Sequence, residues 1–273
     1  PYSEGMTRKV RKRFLIGATT TAQIIVLVHI ALILFLFVFS EGLGSFASIP
    51  EMIPQGKPFL LVIALSLQAA VSGGALLGLF LFFRKTPSPE VFFFQFALLG
   101  FAFSSLRLLA IPLSYYITSL FTLMPLTKFV FFGRLFAVLC LFLSGLFSTG
   151  LTFQKQGVYL STAFMLAVVI AATLPVDCTR FTLPLICDAG STTGFNLAFN
   201  ILSLFSVLNY VYAAGLHSDR NYTYNAIALL LVIGGMQLSY FFAHAWIGLI
   251  GLLLVILGTF IFAHRTHTIY LWF

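Results

Sequence analysis

Charge is scarce in this 273-residue chain. Charged residues make up 8% of the sequence, against roughly 25% in an ordinary soluble domain, while hydrophobic residues make up 60%. So much apolar surface could not be hidden inside one soluble core of this size. The composition therefore excludes a soluble enzyme, a disordered chain and a nucleic-acid-binding module. It predicts an all-α, polytopic protein embedded in a lipid bilayer.

Catalytic and cofactor motifs are absent as well. The sequence contains no phosphate-binding P-loop, no HExxH zinc-protease motif and no GxSxG serine-hydrolase motif. No lysine lies deep in an apolar segment, which excludes a retinal Schiff base. The three cysteines and five histidines do not follow the spacing of a zinc site. The sequence therefore predicts neither a cofactor nor an enzymatic activity.

Long apolar segments dominate the rest of the sequence. A membrane-spanning helix needs about 17–25 apolar residues, and eight segments are close to this length. They are Phe14–Phe39, Phe59–Phe83, Val91–Ile117, Phe129–Leu151, Val158–Pro175, Thr193–Ala214, Asn225–Ala243 and Trp246–Ala263. A turn near His244–Trp246 is expected to separate the last two, because one helix across both would be about 58 Å long, nearly twice the hydrocarbon thickness. Seven spans with one re-entrant segment are the alternative.

The basic residues predict an orientation. In an eight-helix bundle, ten Lys and Arg residues flank one side and three flank the other. The larger group is Arg8, Lys9, Arg11, Lys12, Arg13, Arg84, Lys85, Lys155, Arg220 and Arg265, and the smaller is Lys57, Lys128 and Arg180. The positive-inside rule then predicts that both termini face the cytoplasm. The protein would lie in a bacterial inner membrane or a plasma membrane. We expect one transmembrane domain, residues 14–263, between a basic tail, 1–13, and a short C-terminal tail, 264–273.

The acidic residues all fall in predicted loops or tails. They are Glu4, Glu41, Glu51, Glu90, Asp177, Asp188 and Asp219. Proton pumps and cation-coupled transporters commonly use carboxylates inside helices. The distribution of the acidic residues therefore argues against a cation pump.

Two arginines lie inside predicted helices. Arg107 is about 15 Å from the outer end of the third segment, and Arg134 is about one and a half turns from the outer end of the fourth. A central Arg costs about 2.5–3.5 kcal/mol to insert, so each side chain should face the bundle interior and find acceptors there. Five polar residues on other helices have a comparable predicted depth: His29, Gln68, Asn196, Asn200 and Gln237.

These seven residues form a candidate binding site for an anion, open to the outer side. Arg107 would supply a fixed charge, and Arg134, Asn196, Asn200 and Gln68 would orient the ligand. The structural alternatives are arginines satisfied within the bundle and an Arg134 side chain that extends to the outer headgroups. Pro112 removes a backbone hydrogen bond and frees the carbonyl of Leu108, which predicts a kink close to Arg107.

Two of the three cysteines share a predicted external loop, Asp177–Thr192. An oxidising exterior would permit a disulfide between Cys178 and Cys187, and two free thiols are the alternative, because pairing geometry cannot be read from spacing alone. Cys140 lies within the fourth segment and is expected to be a core packing residue.

Three functions are compatible with this pattern. In helix count and loop length the chain resembles the seven- or eight-helix membrane modules of bacterial sensors. The leading hypothesis is a non-enzymatic sensor or receptor that binds an anionic small molecule or lipid headgroup from the outer side and signals to a separate cytoplasmic or membrane protein partner. The first alternative is a transporter or flippase for an anionic or amphiphilic substrate, with Gln23, Gln95 and Asn209 lining an inner exit. The second is a structural or assembly subunit of a membrane complex.

Overall fold

The computed structural model describes residues 8–38, 58–83, 88–116, 123–150, 156–182, 185–190, 192–240 and 245–271. Its elements are α1 (Arg8–Val38), α2 (Pro58–Phe82), α3 (Pro89–Ser105), a 3₁₀ turn (Leu106–Leu109), α4 (Ala110–Tyr116), α5 (Leu123–Ser148), α6 (Gln156–Thr173), β1 (Val176–Thr182), β2 (Ile186–Ala189), α7 (Thr193–His217), α8 (Arg220–Tyr240) and α9 (Ala245–Leu271). Within these residues, eight helical spans are long and apolar enough to cross a membrane, with α3, the 3₁₀ turn and the start of α4 forming one of them. The predicted all-α bundle with eight potential spans agrees with this architecture.

The two ends of the bundle carry different elements. One end, here called the hairpin end, holds β1, β2, the start of α5 and the end of α8. The other, the terminal end, holds the start of α1, the start of α3 and the end of α9. There Arg11 lies over the ring of Phe92, 6.0 Å from its centroid, and Phe82 packs against His267.

Several helix boundaries differ from the predicted segments. The last two segments are separate helices, as predicted, since α8 ends at Tyr240 and α9 begins at Ala245; His244 lies outside the described residues. However, α1 begins at Arg8 and α9 continues to Leu271. Lys and Arg are good helix formers, so the helices extend into the segments predicted as tails.

The third span is irregular near Arg107. A 3₁₀ turn replaces the α-helix between Leu106 and Leu109, and the N–H of Ala110 bonds to the carbonyl of Arg107. Pro112 has no N–H for the carbonyl of Leu108, and a tighter turn just before a proline is a common way to accommodate this loss. The structure therefore has a 3₁₀ turn close to the position where a kink was predicted from Pro112, and Arg107 lies inside this turn.

The predicted external loop contains an antiparallel hairpin that sequence reasoning missed. Strands β1 and β2 pair in the register Val176 with Ala189, and an irregularity follows before Phe181 pairs with Cys187. The hairpin is tied to the start of α5, because the N–H of Cys187 donates to Oγ1 of Thr127 at 3.0 Å.

Helices α3 and α5 form the centre of the bundle. A Cβ on Gly100 would lie 2.7 Å from the carbonyl oxygen of Gly133 and 2.8 Å from the backbone N of Ala137. Small residues permit such close approach of membrane helices. This contact brings α3 against α5 and so fixes the distance between the turn that carries Arg107 and the helix that carries Arg134.

The outer face of the bundle is apolar. Large hydrophobic side chains of α7 such as Leu204, Phe205 and Val211 are about half exposed. Most soluble monomers expose much smaller contiguous apolar surfaces. A face of this kind fits a lipid bilayer environment.

Candidate functional site

Arg107 caps the end of helix α8. Its side chain is fully buried, and Nη2 donates to the carbonyl of Ser239 at 2.7 Å while Nη1 donates to the carbonyl of Tyr240 at 3.2 Å. These are the last two residues of α8, where carbonyls have no partner within the helix. A cation at a helix C-terminus also interacts favourably with the helix dipole. Arg107 therefore holds the 3₁₀ turn that follows α3 against the end of α8.

Arg134, on α5, lies in a cage of aromatic side chains from α7 and α8. Its guanidinium carbon is 3.9 Å from the ring centroid of Tyr240, 4.7 Å from that of Phe199 and 5.6 Å from that of Phe195. Its Nη2 also donates to Oε1 of Gln237. The side chain is 7% exposed, so cation–π contacts contribute more here than they would at a wet surface.

Tyr240 joins the two arginines. The guanidinium carbon of Arg107 is 5.5 Å from the same ring that Arg134 contacts, and Arg134 also hydrogen-bonds to the Tyr240 side chain. Two positive charges therefore face one aromatic ring inside the protein, where their mutual repulsion is stronger than it would be in water. This arrangement favours the approach of a negative group.

Gln68, on α2, links Arg107 to α3 by hydrogen bonds. Its Oε1 accepts from Nη2 of Arg107 at 3.4 Å, and its Nε2 donates to Oγ of Ser104 at 2.7 Å and to the carbonyl of Phe101 at 3.1 Å. Four of the seven predicted site residues, Arg107, Gln68, Arg134 and Gln237, thus lie in one connected group around Tyr240.

His29 is buried nearby but makes different contacts. Its Nδ1 is 2.8 Å from the carbonyl of Ile25 and its Nε2 is 3.1 Å from the carbonyl of Ser105. Ser105 is the last residue of α3 before the 3₁₀ turn. His29 therefore joins α1 to α3 beside the site, and its described contacts do not include either arginine.

The two asparagines of α7 do not join the group. Asn200 is exposed and Asn196 is half-buried, whereas Phe195 and Phe199 are buried against Arg134. Successive residues of a helix point about 100° apart, so the position before each asparagine takes the inward direction. Asn200 therefore does not face the cluster, in contrast to the prediction.

Three aromatic residues at the site, Tyr240, Phe195 and Phe199, were missed from the sequence. Phe195 and Phe199 are four residues apart, which places them on one helix face and could have indicated the cage. Nothing in the sequence distinguishes their rings from the many other phenylalanines.

One acidic residue was misplaced by sequence reasoning. Glu90 is only 2% exposed and lies in the first turn of α3, at the terminal end of the bundle. Ser88 is the N-cap and Pro89 starts the helix, a common pairing at helix N-termini, so α3 begins before the predicted Val91. The prediction that every carboxylate lies in a loop or tail is therefore wrong for Glu90, and Glu90 no longer counts against a cation pump.

The cysteines of the hairpin are neighbours. Cys178 and Cys187 are free thiols joined by a hydrogen bond between their side chains. Burial, followed by the Cys187 thiol, raises the pKa of Cys178 to about 12. A disulfide between them stays a prediction. Cys140 is a fully buried free thiol of α5, as expected for a packing residue.

Among the described residues, no three His, Cys, Asp or Glu side chains are grouped as a metal site would require. Comparisons with protein-family models, with curated proteins and with solved structures find no match. Function must therefore be inferred from the geometry of the side chains.

Proposed function

We propose that this chain is a non-enzymatic integral membrane module of the sensor or receptor type, which binds an anionic group beside Arg134 and Arg107. The observation that supports this proposal is the pair of buried guanidinium groups on one tyrosine ring. The anionic group belongs either to a small molecule or to a lipid headgroup. The positive-inside rule supports an orientation in which the hairpin end faces the outer side of the membrane.

The two arginines have different roles in this proposal. Arg107 has zero exposure and donates to the end of α8, so it supplies fixed positive potential and holds the helix. Arg134 is the more accessible of the two, and its planar guanidinium matches the geometry of carboxylate and phosphate oxygens. We therefore assign the direct contact with the anion to Arg134.

Binding at this position would act on α8. An anion that draws Arg134 away from the ring of Tyr240 would change the contact between α5 and the last residue of α8. Helix α8 begins at Arg220, at the terminal end. A change at the other end of α8 could thus reach a partner on the cytoplasmic side. Such a signal requires the anion to bind with different affinity to the bundle before and after Arg134 leaves the ring of Tyr240.

Ligand-dependent stabilisation of the purified protein tests the proposal. A ligand present at 100 times its Kd stabilises the folded state by about 2.7 kcal/mol. We expect thermal unfolding in detergent to shift upward with inorganic phosphate or with short-chain phosphatidylglycerol, but not with short-chain phosphatidylcholine. A response to phosphatidylglycerol alone identifies a lipid headgroup, and a response to phosphate alone identifies a soluble anion.

A matched pair of variants assigns the effect to the site. Arg134→Gln should abolish the shift, whereas Lys128→Gln should keep it. Lys128 lies on the same end of α5 and donates to the carbonyl of Ala172 at 2.7 Å, so its loss removes an equal charge outside the cage. The proposal fails if none of the anions stabilises the wild type, or if a folded Arg134→Gln protein responds as the wild type does.

A transporter for an anionic substrate is the second candidate. The buried carboxyl of Glu90 at the opposite end of the bundle favours it, since intramembrane acids often accompany proton-linked transport. Flux of radiolabelled phosphate into proteoliposomes separates the two functions, because a sensor binds the anion without moving it across the membrane.

A further inference from the structure

We propose that Glu90 is a reversible proton-binding site at the terminal end of the bundle. It lies 17 residues before Arg107, or about 25 Å along the helix axis. The two sites therefore lie at opposite ends of the same span, and the proposal does not depend on anion binding at the arginines.

The carboxyl group of Glu90 is enclosed by several helices. The hydroxyl of Tyr270 on α9 hydrogen-bonds to it, while the other oxygen, Oε2, is buried without a hydrogen-bond partner among the described residues. On α5, Oγ of Ser144 donates to the backbone carbonyl of Glu90 at 2.9 Å and lies 2.8 Å from the hydroxyl of Tyr210. Glu90 thus lies where α3, α5, α7 and α9 meet.

The titratable and charged neighbours in the described part of the chain are mostly tyrosines. Tyr210 on α7, Tyr222 on α8 and Tyr270 on α9 all interact electrostatically with Glu90. Arg11 on α1 interacts with Tyr270 and lies over Phe92, two residues after Glu90 on α3. Tyrosines are neutral around physiological pH, so the three tyrosines bring no charge to the carboxyl, and Arg11, the charged neighbour, interacts with Tyr270 and Phe92.

These surroundings favour a carboxyl group that holds a proton. Burial of an ionised carboxylate costs more than one tyrosine hydrogen bond and the positive end of a helix can return. A neutral acid leaves only one polar atom, at Oε2, without a partner, and that cost is the smaller of the two.

Tyr270 gives the proton a way in and out. Its side chain is half-buried one residue before the end of α9, and it also hydrogen-bonds to the side chain of Ser88. A hydroxyl can both donate and accept, so Tyr270 can pass a proton between Glu90 and water at the terminal end. Reversible exchange therefore requires no larger movement than rotation of this hydroxyl.

Infrared difference spectroscopy of the protein in lipid nanodiscs tests the proposal. Perfusion from mildly acidic to mildly alkaline buffer should reduce the carbonyl stretching band of a protonated carboxylic acid. Glu90→Gln should lose this band, and the control Asp219→Asn should keep it, because Asp219 accepts from the backbone N–H of Asn221 outside the cluster. Tyr270→Phe should keep the band but shift its frequency, since a hydrogen bond to the carboxyl is removed.

A second variant protects the test against misfolding of Glu90→Gln. The chain has three other glutamates, Glu4, Glu41 and Glu51, and replacement of all three by Gln leaves Glu90 as the only glutamate. When this protein is grown with glutamate carrying ¹³C in the side-chain carboxyl, the pH-dependent band should move to lower frequency. The proposal is wrong if no protonated-acid band occurs, if the band ignores pH, or if it remains unshifted in the labelled protein.

Discussion

Arg107 and Arg134 contact the same ring, that of Tyr240, from two different helices, at 5.5 Å and 3.9 Å from its centroid. Tyr240 is also the residue whose carbonyl Arg107 caps. A single residue at the end of α8 therefore takes part in holding both charges. Each contact of an arginine with Tyr240 can be removed by a separate substitution. The structural role of each arginine can therefore be measured apart from a role in binding.

The ring of Tyr240 should stabilise the protein more than its hydroxyl does. Tyr240→Leu removes the aromatic face from both guanidinium groups, and a desolvated cation–π contact is worth about 2 kcal/mol. Tyr240→Phe keeps that face and removes only the hydroxyl. We expect the leucine variant to be less stable than the phenylalanine variant by about this amount in thermal unfolding in detergent. Equal stability of the two variants would contradict the cage.

The two arginines should differ in their effect on stability. Arg107→Met leaves the last carbonyls of α8 without their donor, at a cost of about 2 kcal/mol. Arg134→Met should cost less, because the methionine side chain keeps packing contact with the rings and the Gln237 amide that loses its donor is only half-buried. Arg107→Lys should recover part of the loss, since it restores one cation at the helix end. If the Arg134 variant were the less stable of the two, the capping role of Arg107 would be incorrect.

Close packing of α3 on α5 offers a test of the central contact. A Cβ on Gly100 would meet backbone atoms of Gly133 and Ala137 at 2.7–2.8 Å, and backbone cannot move aside as a side chain can. We expect Gly100→Ala to destabilise the bundle by about 1–3 kcal/mol, in the range seen for overpacking.

Gly74 provides the matched control for this substitution. It is an exposed helical glycine of α2, and a Cβ there would have no atom within 4 Å. Gly74→Ala should therefore be neutral or stabilising by up to about 1 kcal/mol. A Gly100→Ala protein as stable as this control would show that α3 and α5 are further apart than described.

The spans and the deep arginines could be predicted from the sequence because hydrophobic length and the insertion cost of Arg act locally. The partners of the arginines could not. Whether Phe199 or Asn200 faces Arg134 depends on the rotation of α7, and one residue changes that direction by about 100°. Glu90 was misplaced for a similar reason, since two residues at the start of α3 decide whether its side chain is counted as loop or as buried helix.

The thiol of Cys178 should react slowly although it is only half-buried. Its pKa is raised from 9.0 to about 12, and the thiolate is the reactive form, so alkylation at neutral pH should be at least about tenfold slower in the folded than in the denatured protein. The unfolded chain loses this proton at lower pH than the folded one, so the contribution of the thiol to stability falls as pH rises from about 9 towards 12.

Cys187→Ser should accelerate alkylation of Cys178, since the neighbouring Cys187 thiol helps to raise the pKa of Cys178. Mass spectrometry of the alkylated peptides measures the alkylation rate of Cys178 in folded and in denatured protein and distinguishes it from alkylation of Cys140. Equal rates in folded and denatured protein would contradict the thiol pair, whereas a denatured, unreduced protein in which neither hairpin cysteine reacts would establish the disulfide predicted from their shared loop.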